Sequence, residues 1–117
     1  MKKISKLITF IFLISFMPNA SSHDLERAIS SDDRSSNNVI RDSSRHPYET
    51  LTFFEIKSDM RIVELSPGGG WYTEILSPYL RDSGSLTVTH YNPESGAYAK
   101  RSREGFDKKV ASNTLFE

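Results

Sequence analysis

Apolar positions change their rhythm several times along this chain, and each rhythm predicts a different element. Leu7 through Met17 is a single apolar run broken only by Thr9 and Ser15. Residues 30–46 are dominated by Ser, Asp, Asn and Arg, with only Val39 and Ile40 apolar. Beyond Pro47, Leu51, Phe53, Phe54 and Ile56 supply apolar surface through a short helix and its exit. Ile62, Val63 and Leu65 then form a compact block between turn-prone residues, which predicts a strand over 61–66. Tyr72, Ile75, Leu76, Tyr79 and Leu80 recur at helical spacing and predict a helix from about Trp71. Pro78 removes an interior hydrogen bond, so that helix is expected to bend or end near Ser77. Asp82-Ser83-Gly84 reads as a turn, Leu86 to His90 as a second strand, and Asn92-Pro93 as its close. Residues 95–111 predict a charged helix with a thin stripe of Tyr98, Phe106 and Val110, weakened at Gly105 by about 1 kcal/mol relative to Ala.

The amino-terminal run has the layout of a secretory signal over residues 1–22. Lys2, Lys3 and Lys6 precede the apolar stretch, Pro18-Asn19 ends it, and Ala20-Ser21-Ser22 offers small residues for cleavage. The stretch is shorter than the roughly 20 residues a helix needs to cross a bilayer. Export to the periplasm or medium is therefore expected, with no membrane attachment after cleavage. Asp24 to Ile29 can form a short helix capped by Asp24, and residues 23–46 as a whole predict an extended or partly disordered arm. Residues 47–117 then carry the folded domain.

Loss of residues 1–22 removes three lysines and no acid, taking the formal charge from 0 to −3. A mildly acidic mature chain gives no electrostatic reason to expect nucleic acid or an anionic membrane as partner. There is no cysteine, hence no disulfide framework and no thiolate metal site. His23, His46 and His90 are far apart and lack ligand spacing, so no metal site is expected. The cluster Lys100, Arg101, Arg103, Lys108 and Lys109, interleaved with Glu104 and Asp107, reads as a solvated helix face.

The most telling segment is Glu64-Leu65-Ser66-Pro67-Gly68-Gly69-Gly70, a strand end followed by bare backbone and then a helix start. Consecutive glycines let ligand atoms approach the main chain, and the helix beyond offers unpaired N–H groups. A P-loop would need Lys and Ser or Thr after the last glycine, where Trp71-Tyr72 stand. A dinucleotide fingerprint would need a small residue where Thr73 lies, and a bulky aromatic pair sits where a pyrophosphate would rest. Arg45 and His46, before a proline that biases them to extended geometry, either fold over a ligand or face solvent. Trp71 and Tyr72 either pack on the arm or line a pocket.

In the Glu64 to Gly70 segment the chain resembles the first motif of class I S-adenosylmethionine-dependent methyltransferases. Glu64 matches the acidic residue, Gly68 and Gly70 the second and third glycines, and Ser66 replaces the first. Arg45-His46-Pro47, Glu49-Thr50-Leu51, Phe53-Phe54 and the block from Pro67 to Leu76 extend the likeness to exported methyltransferase-like proteins of bacteria, which are usually more than twice as long. The resemblance implies an α/β fold, the N-terminal part of a Rossmann-like methyltransferase domain, with one βαβ unit and flanking helices. It also implies S-adenosylmethionine as cofactor, contacted by Glu64, Ser66, Pro67, Gly68, Gly69 and Gly70. The resemblance also places His90 on the cofactor, where the family has an acidic residue on the ribose hydroxyls: a neutral imidazole can pair with a hydroxyl but loses a charge-assisted bond worth about 1.5–3 kcal/mol. Glu55 stands where a helix-ending glycine is usual, which forces positive φ on a residue with a Cβ at about 1 kcal/mol. The expectation is a methyltransferase donor-binding portion that is inactive as this isolated chain. The alternative is an exported, non-catalytic binding module keeping the turn as a relic.

Overall fold

The two apolar blocks pair as parallel strands, β1 (Arg61–Leu65) and β2 (Ser85–Thr89), in the order expected when a helical crossover joins them. Register places Ile62 beside Leu86, Glu64 beside Val88 and Leu65 beside Thr89. Because side chains alternate across a strand, one face carries Ile62, Glu64, Leu86 and Val88, all half-buried, and the other carries exposed Val63 and Leu65. This is a small α/β unit with a single two-stranded parallel sheet among the described residues. The computed structural model describes the backbone of residues 20–116 and side chains from Asp24 onward. The proposed leader lies outside the described residues, apart from Ala20–Ser22.

Among the described residues six α-helices surround the strands: α1 (Ala20–Ile29), α2 (Ser36–Val39), α3 (Asp42–Arg45), α4 (Pro47–Phe53), α5 (Thr73–Leu80) and α6 (Ala97–Ser112). The core forms around α5, whose Ile75, Leu76, Tyr79 and Leu80 pack with Trp71, with Leu25 and Ala28 of α1 and with Leu51 of α4. Ile62 and Leu86 close it from the sheet side. Pro78 does not stop α5, which runs two residues further to Leu80. In α6 the anticipated stripe thins to one anchor, since Phe106 is buried while Tyr98 and Val110 are exposed.

The segment before Pro47 departs most from the sequence reading. The short helix expected at 24–29 is present within α1, which begins at Ala20, so Asp24 lies inside it and does not cap it. Beyond it, instead of an extended or partly disordered arm, the segment forms α2 and α3 and contributes to the interior. Its order rests on polar bonds. The Arg34 side chain is fully buried, donates to Asp42 at 2.7 and 3.0 Å, and donates to the Ile29 carbonyl. Arg45 is helical, not extended, and His46 is left-handed at φ 47°. Glu55 does adopt positive φ, 53°, at the exit of α4. Phe53 and Phe54 stay largely outside the core, stacked edge to face.

Candidate functional site at the glycine turn

The carboxyl end of β1 passes directly into the turn. The Ser66 amide donates to the Thr89 carbonyl at 2.8 Å, extending the strand pairing by one step. The chain then reverses through left-handed backbone at Ser66 (φ 53°), Gly68 (57°) and Gly70 (77°). Ser66 thus occupies, with a Cβ, a conformation that costs an L-residue roughly 1–2 kcal/mol. The Gly70 amide closes the turn on the Pro67 carbonyl at 2.9 Å, and the Gly70 carbonyl accepts the Glu74 amide at the start of α5.

Space around the glycines is unequal. A Cβ added at Gly68 or Gly69 would meet nothing within 4 Å, whereas one at Gly70 would lie 3.2 Å from the Phe106 ring of α6. The turn is therefore open along Gly68–Gly69 and covered at Gly70.

Two carboxylates flank it. Glu64 accepts the Thr73 hydroxyl at 2.6 Å, tying the strand end to the first residue of α5. Burial raises the Glu64 pKa above its ordinary value, and hydrogen bonds from the Thr73 side chain and backbone offset that only in part. Glu74 is completely buried. Its oxygens accept the Ser35 hydroxyl at 2.7 Å, the Ser35 amide at 3.2 Å and the Lys109 ammonium at 2.5 Å. Lys109 also donates to the Gly69 carbonyl at 2.6 Å. It is no member of a solvated face: it crosses from α6 to hold both α5 and the turn.

His90 follows β2 immediately. Its Nδ1 accepts the Tyr91 amide at 2.8 Å, which leaves the proton on Nε2. That Nε2 is buried and has no hydrogen-bond partner, a costly state for a donor. The ring lies 5.4 Å from Phe106, so His90 and Gly70 meet around the same aromatic side chain. The structure thus gathers Glu64, Ser66, Pro67, Gly68, Gly69, Gly70 and His90 at one end of the sheet.

Trp71 packs on the arm. It is buried, and its Nε1 donates to the Asn38 carbonyl at 3.0 Å and to Asp42 at 2.9 Å, while the Arg45 guanidinium lies 4.9 Å from the ring centre. Tyr72 is half-buried against the core.

Glu74 was not singled out from sequence and Lys109 was read as part of a solvated face, though one signal existed. Glu74 sits inside the apolar block Trp71–Leu76 with a proline four residues on, so no helical neighbour there can neutralise it. A concavity of about 610 Å³ lies between α1 and the end of α5, lined by residues including Asp24, Arg27, Asp33 and Arg81, away from the turn. Among the described residues no three His, Asp or Glu side chains cluster to hold a metal ion, and no helix is long and apolar enough to cross a membrane. The chain matches no protein-family model, no curated protein and no solved structure.

Proposed function

We propose that the turn from Ser66 to Gly70 is the donor-binding element of a Rossmann-like methyltransferase unit, with S-adenosylmethionine as its ligand. The observation that carries this is the combination of left-handed backbone at Ser66, Gly68 and Gly70 with open space over Gly68 and Gly69, at the junction from a parallel strand to a helix. Charge favours the same ligand over a dinucleotide. The Glu64 carboxylate beside the turn repels a pyrophosphate and suits a cationic sulfonium or a hydroxyl-bearing ribose.

The residues fit such a guest on two counts. Glu64 is a half-buried acceptor, and His90 Nε2 is a buried donor without a partner that a ribose hydroxyl would satisfy. Glu64 and the main chain of 66–70 would hold the nucleoside, and His90 would orient its sugar. When bound, the ligand supplies an activated methyl group, and the protein's part is to position it. Export, on the basic and apolar layout of residues 1–22, belongs to the same proposal.

Another reading has its own support. Phe106 against Gly70 and Lys109 on the Gly69 carbonyl make α6 a cover for part of the turn, as suits an exported binding module that keeps the turn for its fold. Isothermal titration of the chain from His23 onward with S-adenosylmethionine separates the two. Saturable micromolar binding that is lost in Gly68→Val supports the donor reading. Absence of heat at millimolar ligand, with the chain folded, supports the structural one.

A further inference from the structure

We propose that Lys109 is a positioning residue for the glycine turn: through the Gly69 carbonyl it fixes the direction in which the Gly70 amide points. The inference deepens the donor-binding reading, yet its backbone part stands without any ligand.

The argument begins with the peptide unit. The carbonyl of Gly69 and the N–H of Gly70 belong to one rigid plane, so whatever holds the oxygen also sets the hydrogen. In a run of glycines no side chain restricts that plane, and unassisted it samples several orientations. Lys109 Nζ donates to the Gly69 oxygen at 2.6 Å, and Asn38 adds a longer contact at 3.4 Å. On the other side of the same peptide plane, the Gly70 amide meets the Pro67 carbonyl at 2.9 Å.

A lysine is a flexible anchor unless its ammonium is itself held. Here it is held by Glu74 Oε1 at 2.5 Å, with the Ser35 hydroxyl at 3.5 Å. Glu74 is wholly buried and steadied by the Ser35 amide and hydroxyl. The ammonium thus joins three separate parts of the chain: the arm at Ser35, the start of α5 at Glu74 and the turn at Gly69. Phe106, one turn of α6 before Lys109, seats against Gly70 and fixes the helix's approach.

Deleting Lys109 alone would strand a buried carboxylate and unfold the region for an unrelated reason. The test therefore removes both charges, in Glu74→Met combined with Lys109→Met, which preserves volume and leaves no unpaired ion. Amide hydrogen exchange is followed residue by residue in this variant, in the parent and in the exposed-cation control Lys108→Ala. The Gly70 amide is expected to exchange at least tenfold faster in the double variant while the Leu76 amide, which donates to the Tyr72 carbonyl just before α5, changes less than threefold. Lys108→Ala should match the parent. If the double variant does not fold, Lys109→Arg decides. A planar guanidinium cannot reproduce the point-like contacts with Glu74, Ser35 and Gly69, so at least threefold faster Gly70 exchange is expected.

Unchanged Gly70 protection, or an equal rise at every amide, overturns the inference, the latter by showing a general loss of stability. A parallel titration with S-adenosylmethionine distinguishes the two proposals. No binding by the parent chain removes the donor reading but leaves the Gly70 result to stand or fall by itself. Binding by the parent that weakens at least tenfold in the double variant supports both.

Discussion

Gly68, Gly69 and Gly70 are chemically identical and adjacent, yet replacing each by alanine should give three different results. Gly69 does not have positive φ, and a Cβ there meets nothing within 4 Å. Alanine at 69 restricts the unfolded chain without straining the folded one, which predicts a gain of about 0.4–1 kcal/mol. At Gly68, also in open space, φ is 57°. The left-handed penalty of roughly 1–2 kcal/mol is offset by the same entropic gain, leaving a net loss of about 1 kcal/mol. Gly70 has φ 77° and would bring its Cβ to 3.2 Å from the Phe106 ring. Overpacking against a buried aromatic raises the expected loss to about 2–3 kcal/mol. Small domains have only about 5–15 kcal/mol in total, so these differences move a urea midpoint measurably at constant slope. The order Gly69→Ala above parent above Gly68→Ala above Gly70→Ala is the expected outcome. Equal losses at all three positions, or Gly69→Ala as the most damaging, would refute the turn geometry from which the site is built.

Other consequences follow from single residues. Burial raises the Glu64 pKa, so the folded chain holds this proton more tightly than the unfolded chain does. Stability linked to Glu64 is thus greatest at low pH and declines as pH rises from about the ordinary value of 4.5 through the raised one. Glu64→Gln should equal or exceed the parent in stability at pH 7, with the difference shrinking toward pH 4; a parent clearly more stable at pH 7 in urea melts would show that the Thr73 bonds outweigh desolvation. Trp71→Phe deprives the Asn38 carbonyl and Asp42 of their shared indole donor and leaves a small cavity in the core, for a combined loss of about 2–4 kcal/mol. Thermal unfolding with a change below about 0.5 kcal/mol would mean that neither the indole's bonds nor its packing holds the arm.

The strands and the turn were legible because both are written locally. Ile62, Val63 and Leu65 make a strand-length apolar block, and three successive glycines leave few alternatives to a tight reversal. Glu55 and Ser66 were also legible as side chains standing where glycine is at home, and both take φ 53°. The arm was not legible. Its composition is that of a disordered segment, and what folds it is a set of specific polar partnerships that composition does not encode: Arg34 with Asp42, Trp71 with Asn38 and Asp42, Ser35 with Glu74. Lys109 was misplaced for the same reason. On a helical wheel it is one cation among several, and only the distant, otherwise unneutralised Glu74 draws it inward. The site therefore looked like a bare loop in sequence and is, in the fold, a loop braced from one side by α6.

The turn Ser66–Gly70, open at Gly68 and Gly69, is proposed to receive an adenosine-bearing methyl donor beside Glu64 and His90. Titrating isotope-labelled chain with S-adenosylmethionine, while following every backbone amide by NMR, tests it most directly. Saturable shifts concentrated at Ser66, Gly68, Gly69, Gly70 and His90 are expected. Shifts gathered instead around Asp24, Asp33 and Arg81, or no shifts at millimolar ligand in a folded chain, would contradict it.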